Sequence, residues 1–424
     1  MAISLQKKES FVKFAPTMKT VEIRSQFPSL TQTVYGRPLV YLDNAATSLR
    51  PQCVIDKWNE MAACKNANIH RAVHRLAVEA TDEYESTRDA VREFINAEHR
   101  EEIIFTSGTT ASINLLAFCF GEAFIKPGDE ILIAESEHHS DIVPWQMMCR
   151  RKGAVIRTIP VDGSGHLDLQ RLRENLTEKT KLTCLAEISN VLGLKNPVKD
   201  IVNICHTVGC YVLVDGAQGI VHSVPDVRET GCDFYVFSGH KVYAASGTGV
   251  LYGRRELLAQ MPPYMGGGEM IAHVSFDRTS YAPLPGKFEA GTQNINAIPT
   301  LKPALALARS FRCPEVEESQ RSITAYLLEA LGSNPRIRLY GTPRCADEKV
   351  PLFSFSVQGA HHEDLALILD KQGVAVRSGQ MCAEPLMDRF GVTGMVRASF
   401  APYNTLEEAQ AFIKALQRAI AMLS

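Results

Sequence analysis

Two short apolar segments that each end in polar side chains limit the fold of this chain more than any other feature. They are residues 212–219, Val-Leu-Val-Asp-Gly-Ala-Gln-Gly, and residues 234–241, Phe-Tyr-Val-Phe-Ser-Gly-His-Lys. Runs of Val, Phe and Tyr that are stopped by glycine are typical of buried strands in a parallel sheet. Ligands of open α/β sheets bind beyond the carboxyl ends of such strands, so the polar residues are expected to line one crevice. These residues are Asp215, Gln218, Ser238, His240 and Lys241.

Strands and helices alternate through the region that contains these segments. Predicted strands at 103–105, 130–134, 155–159 and 182–188 are separated by helical patterns such as 141–152 and 198–208. This alternation predicts an α/β fold with a mostly parallel sheet that is covered on both faces. His138 and Asn190 also follow predicted strands, which places them at the same edge of the sheet.

The length of 424 residues is too great for one compact core, so we predict two domains. Residues 1–22 are expected to be a flexible N-terminal extension, and residues 23–297 a large domain. Residues 298–424 are expected to form a smaller α+β domain that carries a cysteine-containing loop. The first segment of the large domain is expected to pack on the small one.

A lysine and an acid at neighbouring strand ends suit pyridoxal phosphate (PLP), which needs an amine for its Schiff base and an acid for its pyridinium nitrogen. Lys241 and Asp215 meet this need, although an ordinary ion pair explains each residue taken alone. Residues 105–110, Phe-Thr-Ser-Gly-Thr-Thr, join a strand to a helix, and a helix start with threonine hydroxyls binds anions. The segment is either a phosphate site or a plain N-cap formed by Ser107 or Thr109.

Two features of the predicted small domain carry further chemistry. Cys382 lies in a loop bounded by glycine and proline with Arg377 nearby, and positive charge lowers the pKa of a thiol and makes it a nucleophile. A role as a small structural residue is equally compatible with the local sequence. Arg397 interrupts an apolar strand and needs an anionic partner, either a substrate carboxylate or a structural Asp or Glu.

Composition narrows the class of protein. With 22% charged residues and a net charge of −2, we expect neither nucleic acid nor a membrane surface as a partner. The sequence shows no apolar run long enough to span a bilayer and no apolar core of a secretory signal. The chain has 11 cysteines, an odd number without a C-x-x-C motif, which favours a reducing compartment, and we expect a cytoplasmic location. No metal site is predicted.

From about Ile23 to the C-terminus, the chain resembles the class V aminotransferases of PLP fold type I. The motifs that carry the resemblance include Val-Asp-Gly-Ala-Gln at 214–218 and Ser-Gly-His-Lys at 238–241. The loop Arg-Ser-Gly-Gln-Met-Cys-Ala-Glu-Pro-Leu at 377–386, with no long insertion before the cysteine, is similar to that of the group II (Suf/Csd-type) cysteine desulfurases. This resemblance implies a large domain with a seven-stranded type of sheet and a smaller C-terminal domain.

The resemblance also implies roles in holding the cofactor. Lys241 forms the Schiff base and later moves the α-proton, Asp215 pairs with the pyridinium nitrogen, and His138 stacks on the ring. Gln218 contacts the phenolic oxygen. The residues implied to hold the phosphate are Thr109, Thr110, Ser238 and His240. Thr292 is implied to reach the phosphate of a neighbouring subunit, so a homodimer is expected.

The implied reaction converts L-cysteine into L-alanine. Asn190, Arg397 and Arg377 bind the substrate, and Cys382 takes its sulfur as a persulfide. The sulfur then passes to an acceptor, usually a small protein of the Suf or Csd E type or of the U type, for iron–sulfur cluster or thio-cofactor assembly. Alternatives are L-selenocysteine lyase activity in the same site, a non-enzymatic sulfur carrier that retains PLP, and another class V reaction such as epimerisation or kynureninase-type cleavage. The last of these does not need Cys382.

The chain departs from the family pattern at several positions around these motifs. Gln380 and Met381 precede the cysteine, where a histidine is common. Val-Tyr-Ala-Ala-Ser-Gly follows Lys241 in place of a usual Tyr-Gly-Pro-Thr-Gly. Ala111 replaces a frequent glutamate and Gln293 a frequent proline. The residues that the resemblance implies hold the cofactor match the family pattern.

Overall fold

The computed structural model describes residues 18–423, so residues 1–17, most of the predicted extension, lie outside the described residues. Its strands are β1 (Thr33–Val34), β2 (Arg37–Pro38), β3 (Val40–Tyr41), β4 (Ile103–Thr106), β5 (Glu130–Ala134), β6 (Val155–Ile159), β7 (Thr180–Ala186), β8 (Tyr211–Asp215), β9 (Phe234–Ser238), β10 (Gly249–Gly253), β11 (Ile271–Val274), β12 (Thr279–Tyr281), β13 (Ile337–Tyr340), β14 (Leu352–Val357), β15 (Val374–Ala375), β16 (Arg377–Gly379) and β17 (Met395–Ser399).

The α-helices follow the strands in a largely alternating order. They are α1 (Met18–Ser25), α2 (Gln52–Cys64), α3 (Arg75–Phe94), α4 (Thr109–Phe124), α5 (Val143–Lys152), α6 (Leu169–Asn175), α7 (Val198–His206), α8 (Gly219–His222), α9 (Val227–Thr230), α10 (Arg255–Gln260), α11 (Leu301–Ser310), α12 (Pro314–Gly332), α13 (His362–Asp370), α14 (Glu384–Phe390) and α15 (Leu406–Met422). Among residues 18–423, every helix is too short or too polar to cross a membrane.

The large sheet has seven strands in the order β4-β10-β9-β8-β7-β5-β6. The pairs from β9 to β6 are parallel, and β10 runs antiparallel to both of its neighbours. The α/β fold with a mostly parallel sheet is therefore confirmed. The antiparallel strand β10 was not among the predicted strands.

Helices cover both faces of this sheet because its strands are apolar on both sides. In β9, Phe234 and Val236 belong to one buried cluster, whereas Tyr235 and Phe237 belong to the cluster on the opposite face. This alternation follows from the two-residue period of a strand. Burial of each such side chain stabilises the fold by about 1.5–3 kcal/mol, so the sheet is a rigid support for the groups at its edge.

A second sheet, in the order β13-β14-β17-β16, is antiparallel throughout. Its core includes Phe353 and Phe355 on β14 and Phe412 on α15. The N-terminal part of the chain contacts this second region, because β3 pairs with β15 in parallel and Asp43 forms a bridge with Ser399. Residues 40–44 therefore pack on the second sheet, next to the predicted site residue Arg397.

The polypeptide passes from one core to the other within α12. Apolar residues of α11, such as Leu301 and Leu305, lie in the core of the large domain, and so does Val316 near the start of α12. Ile323 and Leu327, further along the same helix, lie in the core of the small domain. The boundary proposed between residues 297 and 298 thus precedes a helix that packs on the large core.

Candidate active site

A cavity of about 310 Å³ opens at the carboxyl edge of the large sheet. It brings together all the predicted site residues except Thr292, namely Thr109, Thr110, His138, Asn190, Asp215, Gln218, Ser238, His240, Lys241, Arg377, Cys382 and Arg397. Residues that were not assigned a role also line it, namely Ala45, Ala46, Ser140, Ala186, Ile188, Ala217 and Met381. Thr292 is exposed and lines a different cavity beside Phe105 and Asn294.

The amine and the acid lie at the ends of adjacent strands. Asp215 is the last residue of β8, and its Oδ1 accepts a hydrogen bond of 2.7 Å from the backbone N–H of Ala217. Lys241 lies in the turn after β9. Burial lowers the pKa of Lys241 and raises the pKa of Asp215, while the charge of each opposes the shift of the other. A buried amine with a lowered pKa is suited to Schiff-base chemistry.

His138 lies in the connection between β5 and α5 and lines the same cavity as this pair. Its Nδ1 accepts a hydrogen bond of 3.0 Å from the backbone N–H of Ser140. Burial, and next the charge of Lys241, lowers the pKa of His138 to about 4. The imidazole is therefore neutral near pH 7 and presents a flat, uncharged ring to the cavity.

The start of α4 faces the same cavity. Its N-cap is Gly108, with no side-chain cap, so a cap formed by Ser107 or Thr109 is ruled out. Ser238 Oγ accepts a hydrogen bond of 2.8 Å from the backbone N–H of Thr109 and lies 2.8 Å from Thr109 Oγ1. Thr110 Oγ1 lies 2.7 Å from Ser140 Oγ. Amide and hydroxyl donors at a helix N-terminus form a site for a phosphate.

Close packing at Gly108 brings this helix start to the sheet. The φ angle of Gly108 is +151°, and a Cβ atom on Gly249 of β10 would lie 2.4 Å from its Cα. Any side chain at position 249 would push the turn away from the strand. The unpredicted strand β10 thus fixes the turn before α4.

Two arginines share one carboxylate at the rim of the cavity. Arg377 Nε and Nη2 donate hydrogen bonds of 3.0 and 2.8 Å to Asp43, and Arg397 Nη2 lies 3.5 Å from Asp43 Oδ1. Arg397 is buried, its Nη1 donates to the backbone oxygen of Asn190 at 2.9 Å, and its Nε has no partner in the described residues. One acid and two arginines leave a net positive charge, which suits a substrate carboxylate.

Burial lowers the pKa of Arg397 to about 10, so the guanidinium keeps its charge near pH 7. No role was predicted for Asp43 from the sequence. An acid directly after the apolar pair Tyr41-Leu42 was the available signal. Its partners are more than 330 residues away, so the sequence did not identify them.

Cys382 is exposed in the connection between β16 and α14. Met381 and Cys382 both have left-handed backbone conformations, with φ angles of +55° and +56°. Asn190 Nδ2 donates to the backbone oxygen of Met381 at 2.9 Å. Cys382 lines the same cavity as the two positively charged side chains of Arg377 and Arg397.

Gln218 and His240 are held by the segment that contains Asp43. Gln218 Nε2 donates to the backbone oxygen of Ala45 at 2.8 Å. His240 Nδ1 lies 3.2 Å from Thr47 Oγ1, and burial lowers the pKa of His240 to about 4. Both side chains therefore have fixed orientations at the cavity wall.

Two acids behind the cavity were also missed. Glu137 Oε1 accepts a hydrogen bond of 2.9 Å from the backbone N–H of Ala186, and Asp141 Oδ1 accepts one of 2.9 Å from Trp145 Nε1. Burial raises the pKa of both carboxyl groups. The charge of Asp215 raises both further, and the charge of Asp141 also raises the pKa of Glu137.

Comparison with known proteins gives one consistent result. Residues 40–412 match the family described as Aminotransferase class-V. A probable cysteine desulfurase of Vibrio cholerae is 45% identical over 401 residues, which are 95% of this chain and 98% of the relative. A cysteine desulfurase of Serratia proteamaculans is 45% identical over 397 residues, which are 93% of this chain and 97% of the relative.

Solved structures agree with these relatives. The crystal structure of the cysteine desulfurase CsdA from Escherichia coli superposes with a TM-score of 0.88 at 38% identity. The match covers 96% of this chain and 100% of that one. A cysteine desulfurase from Thermococcus onnurineus superposes with a TM-score of 0.87 at 35% identity, over 93% of this chain and 98% of that one.

Proposed function

The chain belongs to the aminotransferase class-V family, and from this membership we propose that it is a PLP-dependent cysteine desulfurase. It converts L-cysteine into L-alanine and takes the sulfur as a persulfide on Cys382. The observation that carries this function is the presence of Cys382 in the same cavity as Lys241 and Asp215. A transaminase or epimerase would need the amine and the acid but no thiol.

The chemistry of the cavity residues fits PLP. Lys241 offers the buried amine, Asp215 the acid for the ring nitrogen, and His138 a neutral ring to stack on it. The start of α4, with Thr109, Ser238 and the nearby Thr110 and His240, offers donors for the phosphate. When bound, the cofactor supplies an electron sink for the electron pair left on the α-carbon of the substrate.

The two arginines and Asn190 account for recognition of an amino acid. Arg397 offers a buried guanidinium whose Nε has no partner in the described part of the chain, and Arg377 adds charge at the rim. Their shared acid, Asp43, fixes both side chains before the substrate arrives. A preorganised arginine binds a carboxylate at a lower cost in side-chain entropy.

Cys382 and Lys241 have separate roles in the proposed reaction: one is the nucleophile and the other transfers protons. The Cys382 thiolate attacks the sulfur of the bound cysteine, so an S–S bond forms as the C–S bond breaks and its electron pair passes to the carbon side. The amine of Lys241 takes the α-proton and returns a proton to the product. The products are L-alanine and a persulfide on Cys382, and no external oxidant or reductant is consumed.

We further propose that the protein is a cytoplasmic homodimer. The support for the dimer is Thr292, which the resemblance places at the cofactor phosphate of the partner and which is exposed here. The support for a reducing compartment is that all 11 cysteines are free thiols. Exposure of Cys382 supports transfer of the persulfide to a thiol of a small acceptor protein of the Suf/Csd E or U type.

The decisive experiment measures alanine and sulfide from L-cysteine in the presence of a reductant. The wild-type holoenzyme is expected to give the two products in equal amounts. Cys382→Ala is expected to keep its PLP and to lose sulfide production by about 10²-fold or more, because no nucleophile remains to take the sulfur. Cys345→Ala is the matched control, since Cys345 is also exposed but lies outside the cavity. Sulfide release by Cys382→Ala at the wild-type rate would refute the proposed mechanism.

A further inference from the structure

One residue of the β5–α5 connection, His139, makes hydrogen bonds to the nucleophile residue and to a residue that follows it. The backbone N–H of His139 donates to the backbone oxygen of Cys382 at 2.7 Å. The imidazole Nε2 of His139 accepts a hydrogen bond of 3.0 Å from the backbone N–H of Glu384. His139 thus contacts the residue that carries the thiol and the residue two positions after it.

The nucleophile-bearing turn needs such support. Left-handed φ angles are unfavourable for residues other than glycine, and Met381 and Cys382 adopt them in succession. The turn has two hydrogen bonds of its own, from Ala383 N to the oxygen of Gln380 and from Gln380 Nε2 to Glu384 Oε1, each 3.0 Å long. The second of these joins two exposed side chains.

His139 also provides a hydrogen-bond acceptor for a backbone amide at the start of α14. Glu384 is the first residue of this helix, and its N-cap, Ala383, makes no side-chain cap. The first amide groups of a helix have no acceptor within the helix. The imidazole of His139, from the other domain, accepts from one of them. In this contact Nε2 acts as the hydrogen-bond acceptor and the backbone N–H of Glu384 as the donor.

The position of His139 is itself rigid. It follows His138 in a tight turn, in which the backbone N–H groups of Asp141 and Ile142 donate to the oxygens of His138 and His139 at 2.8 and 3.1 Å. The same turn aims the ring of His138 at the cavity. One short segment therefore connects the cofactor side of the site to the thiol side.

We propose that His139 is a positioning residue for the nucleophile, which it holds towards the substrate through the start of α14. The inference rests on the proposed function only for the role of the thiol. The contacts of His139 concern the position of Cys382 whichever reaction takes place. Substitution of His139 leaves its backbone N–H in place and removes only the imidazole acceptor.

The test compares three holoenzyme variants. His139→Ala removes the acceptor, His139→Gln keeps an oxygen that can accept from Glu384, and Gln380→Ala removes only the solvent-side bond within the turn. The readouts are PLP content, kcat and KM for L-cysteine, and the rate at which iodoacetamide alkylates Cys382, followed by mass spectrometry of the peptide. Alkylation does not depend on turnover.

His139→Ala is expected to keep its PLP and its KM while kcat falls about tenfold, because a misplaced nucleophile affects the chemical step. Its Cys382 is expected to be alkylated several times faster, since the turn is released. His139→Gln should recover most of both changes, and Gln380→Ala should resemble the wild type. An unchanged alkylation rate in His139→Ala would overturn the inference, as would loss of PLP in parallel with activity. A wild-type enzyme that makes no alanine would instead refute the proposed function, and alkylation would still decide the role of His139.

Discussion

The site joins two regions that are built in opposite ways. The cofactor platform, residues 215–218 and 238–241, lies at the ends of buried central strands, and Asp215, Gln218 and Ser238 are all buried. The nucleophile loop, residues 377–385, is largely exposed and has a left-handed backbone at the cysteine. The first region gains its order from the core beneath it. The second is ordered by a few hydrogen bonds from the other domain.

This difference matches what each region has to do. Groups that hold a cofactor work best when packing fixes them, because catalysis depends on geometry that does not relax. A cysteine that carries a persulfide must be reached by an acceptor thiol, so it cannot be enclosed in a core. Asn190 and His139 meet both requirements, an ordered loop and an accessible thiol. Both donate hydrogen bonds to backbone oxygens of the loop and leave the thiol free.

The largest expected effect comes from the centre of the platform. Lys241→Ala removes the amine proposed to bind the cofactor and to move protons, so alanine formation is expected to fall by about 10³-fold or more. Borohydride reduction followed by mass spectrometry should then find no PLP attached to the chain. The fold should be retained, because the neighbouring strand residues supply the buried packing. Covalent PLP on another lysine of the variant would contradict the assignment of Lys241.

A smaller effect is expected where the platform meets the loop. Arg397→Lys keeps a positive charge but loses the planar fork that contacts Asn190 and Asp43. The KM for L-cysteine is expected to rise about tenfold, with a smaller change in kcat, because carboxylate binding is weakened more than the chemistry. Initial rates over a range of cysteine concentrations give both constants.

Arg377→Lys provides the matched comparison at the same acid. Arg377 is about half exposed, whereas Arg397 is buried, so its replacement should raise KM less. Equal increases for the two variants would mean that exposure does not set the contribution of each arginine. That result would weaken the contrast between the buried and the exposed groups of the site.

The residues of the cavity could be predicted from the sequence because they follow a simple geometric rule. Polar side chains after apolar strands meet at one edge of a parallel sheet, and this rule brought His138, Asn190, Asp215 and Lys241 together. Strand β10 was not predicted, because its three apolar residues lie between two glycines, Gly249 and Gly253. This apolar run is too short to indicate a strand. Its position between β4 and β9 depends on long-range pairing.

The contacts that orient the cavity residues could not be predicted. Asp43 meets two arginines more than 330 residues further on, and the bond between His139 and Glu384 spans 245 positions. No local pattern separates His139 from its neighbour His138, although one binds the turn of the nucleophile and the other faces the cavity. Such pairings follow from the docking of the two domains.

The smallest expected effect concerns stability at the connection between the two domains. Lys349 is 5% exposed, and its Nζ donates to the backbone oxygens of Leu192 and Gly341 at 2.7 and 2.9 Å. Burial lowers the pKa of Lys349 to about 7, whereas an unfolded lysine has a pKa of about 10.4. Between these values the unfolded chain binds the additional proton, so the free energy of unfolding rises with pH, by at most about 1.4 kcal/mol per pH unit.

Lys349→Met removes this titration, so the variant should lack the rise of about 1–2 kcal/mol that the wild type shows between about pH 7 and about pH 9. Urea unfolding at the two pH values measures this change in the free energy of unfolding. Lys302→Met is the control, because Lys302 is exposed on α11 and should leave the pH dependence unchanged. Leu192 follows Asn190 by two residues, and Asn190 donates to the backbone oxygen of Met381 in the loop. If the wild type and Lys349→Met gain stability equally with pH, the lysine is charged in the fold and donates charge-assisted hydrogen bonds to the two carbonyl oxygens.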